Sequence, residues 1–98
     1  MTGSDRRRVV EVVVHGEVQG VFFRDSCRAE AQRAGVAGWV RNEPDGTVRA
    51  RFEGAPDAVG TLLAWVRHGP RHARVDHVDE VDRTAEDDGS GARGFSVR

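Results

Sequence analysis

Valines alternate along residues 8–17: Val10, Val12 and Val14 share one face, and Val9, Glu11, Val13 and His15 share the other. Alternation with β-branching predicts a strand, and valine on both faces predicts a strand partly covered on each side. Further on, Phe23, Cys27, Ala31 and Ala34 recur at spacings of four, four and three, with Arg24, Asp25, Arg28, Gln32 and Arg33 mostly off that stripe. That is one face of a helix, and Gly35 is its natural stop. Residues 36–42 and 47–53 read as two strands, joined by Glu43-Pro44-Asp45-Gly46. Proline presets φ there, and Asp-Gly suits a tight reversal. A second helix opens at Gly54-Ala55-Pro56-Asp57 and carries Val59, Leu62, Leu63 and Val66 as its apolar stripe. Pro56 fits the first turn, Asp57 suits the positive end of the helix dipole, and Gly69-Pro70 marks the stop. Val75, Val78 and Val81 make residues 75–81 a less regular strand; residues 83–93 read as a polar loop and residues 94–98 as a short last strand.

The element order is β-α-β-β-α-β with a terminal strand. It predicts an α+β ferredoxin-like βαββαβ sandwich, an antiparallel sheet with two helices on one face and a short C-terminal strand. This architecture hosts enzymes, RNA binders and small-molecule sensors, so it assigns no function by itself. Residues 1–7 read as a polar tail and residues 8–98 as a single domain, since 98 residues leave no room for a second.

Composition narrows the classes. Fifteen basic against sixteen acidic residues give a net charge of −1, which offers no global field for nucleic acid. All the basic residues are arginine, which we attribute to coding bias. No apolar run nears the roughly 20 residues of a membrane helix. The first eight residues are basic but lack the apolar core of a signal segment. Cys27 is the single cysteine, so no internal disulfide forms, and a reducing cytoplasm is the expected location. A chain this small is expected to be a monomer.

The candidate chemistry lies in Gly16-Glu17-Val18-Gln19-Gly20-Val21-Phe22-Phe23-Arg24, between the first strand and the first helix. Two glycines allow a tight turn and close approach to a ligand. A helix start presents unpaired N–H groups to an anion, and Arg24 adds a permanent, fork-shaped cation in the first turn. Glycine-bearing strand–helix loops are also common without any ligand, and Arg24 also has a reading as a solvated surface residue. Against that, a cation is unfavourably placed at a helix N-terminus unless an anion joins it. Asn42, in Gly38-Trp39-Val40-Arg41-Asn42, has two readings. It is a turn residue, or a neutral amide that holds a water as both donor and acceptor.

Other groups have plainer readings. Cys27 follows Arg24 and falls on the apolar stripe, so it suits a buried core thiol rather than a Cys-x5-Arg nucleophile. His68 and His72 have no accompanying ligand cluster, and Asp76, Asp79, Glu80 and Asp82 read as a solvated strand face. No metal and no cofactor are expected. His15 reads as a strand residue beside the loop, and Asp25 as turned roughly 100° away from Arg24 around the helix.

The two segments, residues 16–24 and 38–42, resemble the signature segments of the acylphosphatases, and Gly69-Pro70, Ala73 and Val75 resemble that family's Gly-Pro-x-x-Ala-x-Val stretch. The resemblance covers nearly the whole chain from Val9 to Arg98. It implies hydrolysis of a small-molecule acyl phosphate to a carboxylate and inorganic phosphate. By the same resemblance, the loop amides at Val18, Gln19, Gly20, Val21, Phe22 and Phe23 would cradle the phosphoryl oxygens. Arg24 would bind and neutralise the group, and Asn42 would orient the attacking water. Phe22 stands where many relatives carry glycine, which implies an altered pocket shape.

The residues themselves agree on the substrate. A site with a cation, amides and a water-holding amide, but no strong base or nucleophile, cannot easily expel an alkoxide. A mixed carboxylic–phosphoric anhydride leaves as a carboxylate whose conjugate acid has a pKa of about 4. The alternative function is a non-catalytic phosphate- or carbamoyl-phosphate-binding module, such as stands at the front of larger carbamoyl-transfer proteins. The shortness of the chain and its lack of zinc-finger cysteines speak against that setting. An RNA-binding module lacks the aromatic strand motif it would need. The terminal carboxylate of Arg98, at the end of a sheet strand, is a candidate neighbour for Arg24.

Overall fold

The structure, a computed structural model, describes residues 6–87 and 93–98. Strands β1 (Arg8–Glu17), β2 (Ala37–Asn42), β3 (Val48–Gly54), β4 (Arg74–Asp82) and β5 (Phe95–Val97) form one sheet in the order β4-β1-β3-β2-β5. Helices α1 (Phe23–Ala34) and α2 (Pro56–Val66) connect β1 to β2 and β3 to β4. The ferredoxin-like arrangement is therefore present. The first four strands pair antiparallel, but β5 runs parallel to β2, so the sheet is mixed rather than wholly antiparallel.

The core lies between the helices and one sheet face. Val10, Val12 and Val14 of β1, Val40 of β2 and Val48, Ala50 and Phe52 of β3 meet Phe23, Cys27 and Ala31 of α1 and Val59, Leu62, Leu63 and Val66 of α2. Both predicted helix stripes are buried, except that Ala34 is only partly covered. Gly35 ends α1 in the left-handed region at φ 74°, where its N–H reaches Gln32 O (3.2 Å) and Val36 N–H reaches Ala31 O (2.8 Å). Glycine has no Cβ penalty in that conformation.

The odd valine spacing in β4 has a local cause. His15 pairs with His77, but Gly16 pairs with Val75, so Asp76 is an extra residue in a β-bulge. The bulge turns both Val75 and Val78 onto the core face although they are three apart. Val81, opposite Glu11, is left on the outer face and is exposed. The same pairing explains Gly16. A Cβ there would stand 2.0 Å from the main-chain oxygen of Arg74. Gly16 thus serves strand packing, whereas a Cβ at Gly20 would meet nothing within 4 Å.

The outer sheet face is polar. Glu11 pairs with Arg49 (3.5 Å) and Arg51 (3.0 Å), and His15 and His77 share the Asp79 carboxylate at 3.0 and 2.6 Å. Val9 is fully buried on this face. Its N–H donates to Thr84 Oγ1 (3.1 Å), and its carbonyl accepts from Arg83 N–H (2.7 Å). Thr84 belongs to a short 3-10 helix, Thr84–Glu86, within the segment expected to be a loop. Residues 88–92 of that segment, and residues 1–5 of the expected tail, lie outside the described residues. Arg7, at the tail's end, approaches Glu53 (4.0 Å) and Asp87 (3.8 Å). Among the described residues, no helix is long and apolar enough to cross a membrane.

Gly38 lies within β2, and a Cβ there would stand 1.8 Å from the main-chain oxygen of Arg51. Only backbone movement could relieve that contact. Gly38→Ala is expected to cost about 3 kcal/mol of stability, read as a lower urea midpoint with an unchanged slope. A midpoint within error of the parent would show that β2 and β3 can part there freely.

Candidate active site

Phe23, the first residue of α1, is 2% exposed. Its ring lies 5.2 Å from that of Trp65, and a Cβ on Gly69 would stand 2.7 Å from it. The Gly69-Pro70 stretch therefore makes room for this ring as well as ending α2. Because Phe23 is pinned in the core, the loop before it and the first turn after it are held at the sheet end.

A pocket of about 300 Å³ opens at that end, lined by Val18, Gly20, Phe22, Phe23, Arg24, Asp25, Asn42 and Val97. Arg24 and Asn42, distant in sequence, thus share one cavity. Of the loop residues expected to bind, Val18, Gly20, Phe22 and Phe23 line it, whereas Gln19 and Val21 do not. Asp25 lines it as well.

The Gln19 side chain braces the site. Its Nε2 donates to the main-chain oxygens of Glu43 (2.8 Å) and Thr47 (2.9 Å), at the two sides of the turn that follows Asn42. The turn is closed by Glu43 N–H to Thr47 O (2.9 Å) and Gly46 N–H to Glu43 O (3.1 Å). Within it, Thr47 donates to Asp45 Oδ1 from Oγ1 (2.6 Å) and from N–H (2.9 Å). Those bonds, the hydroxyl's first, hold the Asp45 carboxyl below its ordinary pKa.

The loop backbone is open. Among the described residues, the N–H groups of Gln19, Gly20, Val21 and Phe22 donate no backbone hydrogen bond, and α1 has no side-chain N-cap. Such a run of unpaired donors at a helix start suits an anion. Phe22, the N-cap residue, holds φ 63° and ψ 26°, and it is the one non-glycine with positive φ among the described residues. A non-glycine there costs about 1 kcal/mol. Its side chain is 76% exposed.

Arg24 Nη1 donates to the main-chain oxygen of Arg98 at 3.2 Å. Arg98 is held in turn by its N–H on Val40 O (2.8 Å) and by its guanidinium 4.9 Å from the Trp39 ring centroid. Among the described residues, the Asn42 side chain has no hydrogen-bond partner. Val97 was not legible as a site residue. It reaches the pocket because β5 pairs with β2 and sets Val97 opposite Val40, two residues before Asn42.

The remaining candidates lie elsewhere. His15 is on the outer face with Asp79 and His77, and does not line the pocket. Cys27 is buried, and burial first, then the nearby Glu30 carboxylate, pushes its thiol far above the ordinary range. Among the described residues, no group of three or more His, Cys, Asp or Glu side chains is placed to hold a metal ion.

The fold and this pocket define a class of small α+β proteins with an open backbone loop at one sheet end. The acylphosphatase family profile matches residues 10–97, and the chain belongs to the acylphosphatase family. It is 52% identical to an acylphosphatase of Rubrobacter xylanophilus over 98 residues, covering 100% of this chain and 86% of the relative. It is 53% identical to one from a Nocardioides species over 95 residues, covering 97% and 92%. Among solved structures, an acylphosphatase from Coxiella burnetii superposes with a TM-score of 0.86 at 35% identity, covering 100% of both chains. Full-length HypF, in its phosphate- and nucleotide-bound form, shares the fold with a TM-score of 0.77 at 17% identity, covering 95% of this chain but 12% of its own.

The Gln19 brace predicts that Gln19→Ala lowers stability by about 1–2 kcal/mol, as expected for two lost hydrogen bonds. In amide exchange, protection should fall first at Thr47 and Gly46. Uniform loss across the sheet would instead place Gln19 outside the turn's support.

Proposed function

We propose that this chain is an acylphosphatase in activity, hydrolysing the carboxyl–phosphate bond of a small-molecule acyl phosphate. The observation that carries this is the shared pocket: Arg24, Asn42 and the open loop converge on one cavity. The loop N–H groups and Arg24 bind the phosphoryl oxygens. The Arg98 main-chain oxygen fixes the guanidinium, so it needs little reorganisation on binding. The Asn42 amide holds a water and presents its oxygen to phosphorus. The new P–O bond forms as the P–O bond to the acyl group breaks, and the carboxylate leaves with the electron pair. The water proton passes to a phosphoryl oxygen. With a carboxylate as leaving group, positioning and electrostatic stabilisation suffice, which supports turnover without a metal or cofactor.

The reading extends to a monomer working in the cytoplasm. The acidic residues along the β4 edge, which discourage strand pairing between copies, and the single buried Cys27 support it.

The wild-type protein is expected to hydrolyse benzoyl phosphate with chelator present and to leave alkyl phosphates intact. Turnover at background, with phosphate still bound, would make it the non-catalytic binding module. Arg24→Gln should lose both phosphate affinity and turnover, the latter on the order of a thousandfold; parental kinetics would remove Arg24 from the site. Asn42→Ala should keep phosphate affinity while turnover falls on the order of a hundredfold or more. If affinity collapsed instead, Asn42 would be a binding group and not a water-positioning one.

A further inference from the structure

We infer that Phe22 is a specificity-determining residue that selects acyl phosphates with an apolar, preferably aromatic, acyl group; this rests on the hydrolytic reading above. Neither the backbone nor the core accounts for a phenylalanine at this position. The main chain at φ 63° favours glycine, and the ring is 76% exposed. Its neighbour in sequence, Phe23, is 2% exposed and sits in the core. A strained residue whose side chain adds little to packing points to a role outside stability. The two large hydrophobic side chains exposed among the described residues are Phe22 and Val81, and only Phe22 borders the pocket.

The geometry assigns the contact. The phosphoryl group belongs among the loop N–H groups and Arg24, which together with Asn42 line the pocket. In-line displacement sets the leaving oxygen opposite the attacking water. The acyl group therefore extends away from the Asn42 water, and among the pocket-lining residues the large exposed hydrophobic side chain available to it is Phe22. An exposed ring there gives an apolar acyl group a surface to cover, and an aromatic one a partner for offset or edge-to-face packing. A contact kept in the transition state raises kcat/KM for such substrates over short ones.

The test compares benzoyl phosphate with acetyl phosphate in the wild type, Phe22→Gly and Phe22→Leu. The ratio of their kcat/KM values should fall about tenfold in Phe22→Gly, with Phe22→Leu between. Phe22→Gly should also melt higher than the parent, since glycine relieves the backbone, so folding does not threaten the comparison. The affinity ratio of phenylphosphonate to methylphosphonate, measured by calorimetry, should fall in parallel. Unchanged ratios in both assays overturn the inference. A wild type that turns over neither acyl phosphate, but whose phosphonate ratio falls in Phe22→Gly, upholds Phe22 as the selector and overturns hydrolysis alone.

Discussion

The burial of Phe23 is the constraint on which the site depends. A ring seated between Trp65 and the bare backbone of Gly69 determines where α1 begins and how it meets the sheet. With that residue inside, the chain from Val18 to Phe22 must cross the sheet end in few steps. Among the described residues, the N–H groups of Gln19 to Phe22 donate no backbone hydrogen bond there. Arg24, one position later, comes to border the pocket because the helix start itself caps the cavity. An apolar contact thus orients a polar site.

The second half of the site hangs from the sheet. Asn42 ends β2, and its placement relative to the loop depends on Gln19, whose amide spans both sides of the following turn. Asp45 and Thr47 stiffen that turn from within. On the other side, β5 lies parallel to β2, carrying Val97 to the rim and the Arg98 oxygen to the Arg24 guanidinium. Trp39 stabilises this corner from the outer face, with the guanidinium carbons of Arg41 and Arg98 at 4.7 and 4.9 Å from its ring centroid. Such stacking suits arginine, whose planar cation lies flat on an aromatic face.

Much of this is legible in the sequence. Period-two valines gave β1, and the stripes through Phe23 and Val59 gave the two helices, because burial on one face leaves a periodic trace. Other features leave no such trace. The bulge at Asp76 shows only as an irregular valine spacing, and its meaning depends on β1 as partner. The role of Gly16 depends on an oxygen of Arg74, 58 positions away. That the Gln19 side chain braces the turn is not legible either, because its partners are carbonyls of a turn that sequence alone cannot bring near.

The sequence by itself determined the elements, the buried stripes, the open loop chemistry and the family resemblance, since each rests on local spacing and residue type. Only the tertiary structure decided that Arg24 and Asn42 share a pocket, that β5 joins the sheet in parallel to complete its rim, and that Phe22 stands strained and exposed at its mouth. The physical reason is separation along the chain. These juxtapositions are set by strand pairing and core packing, which join residues that no local pattern connects.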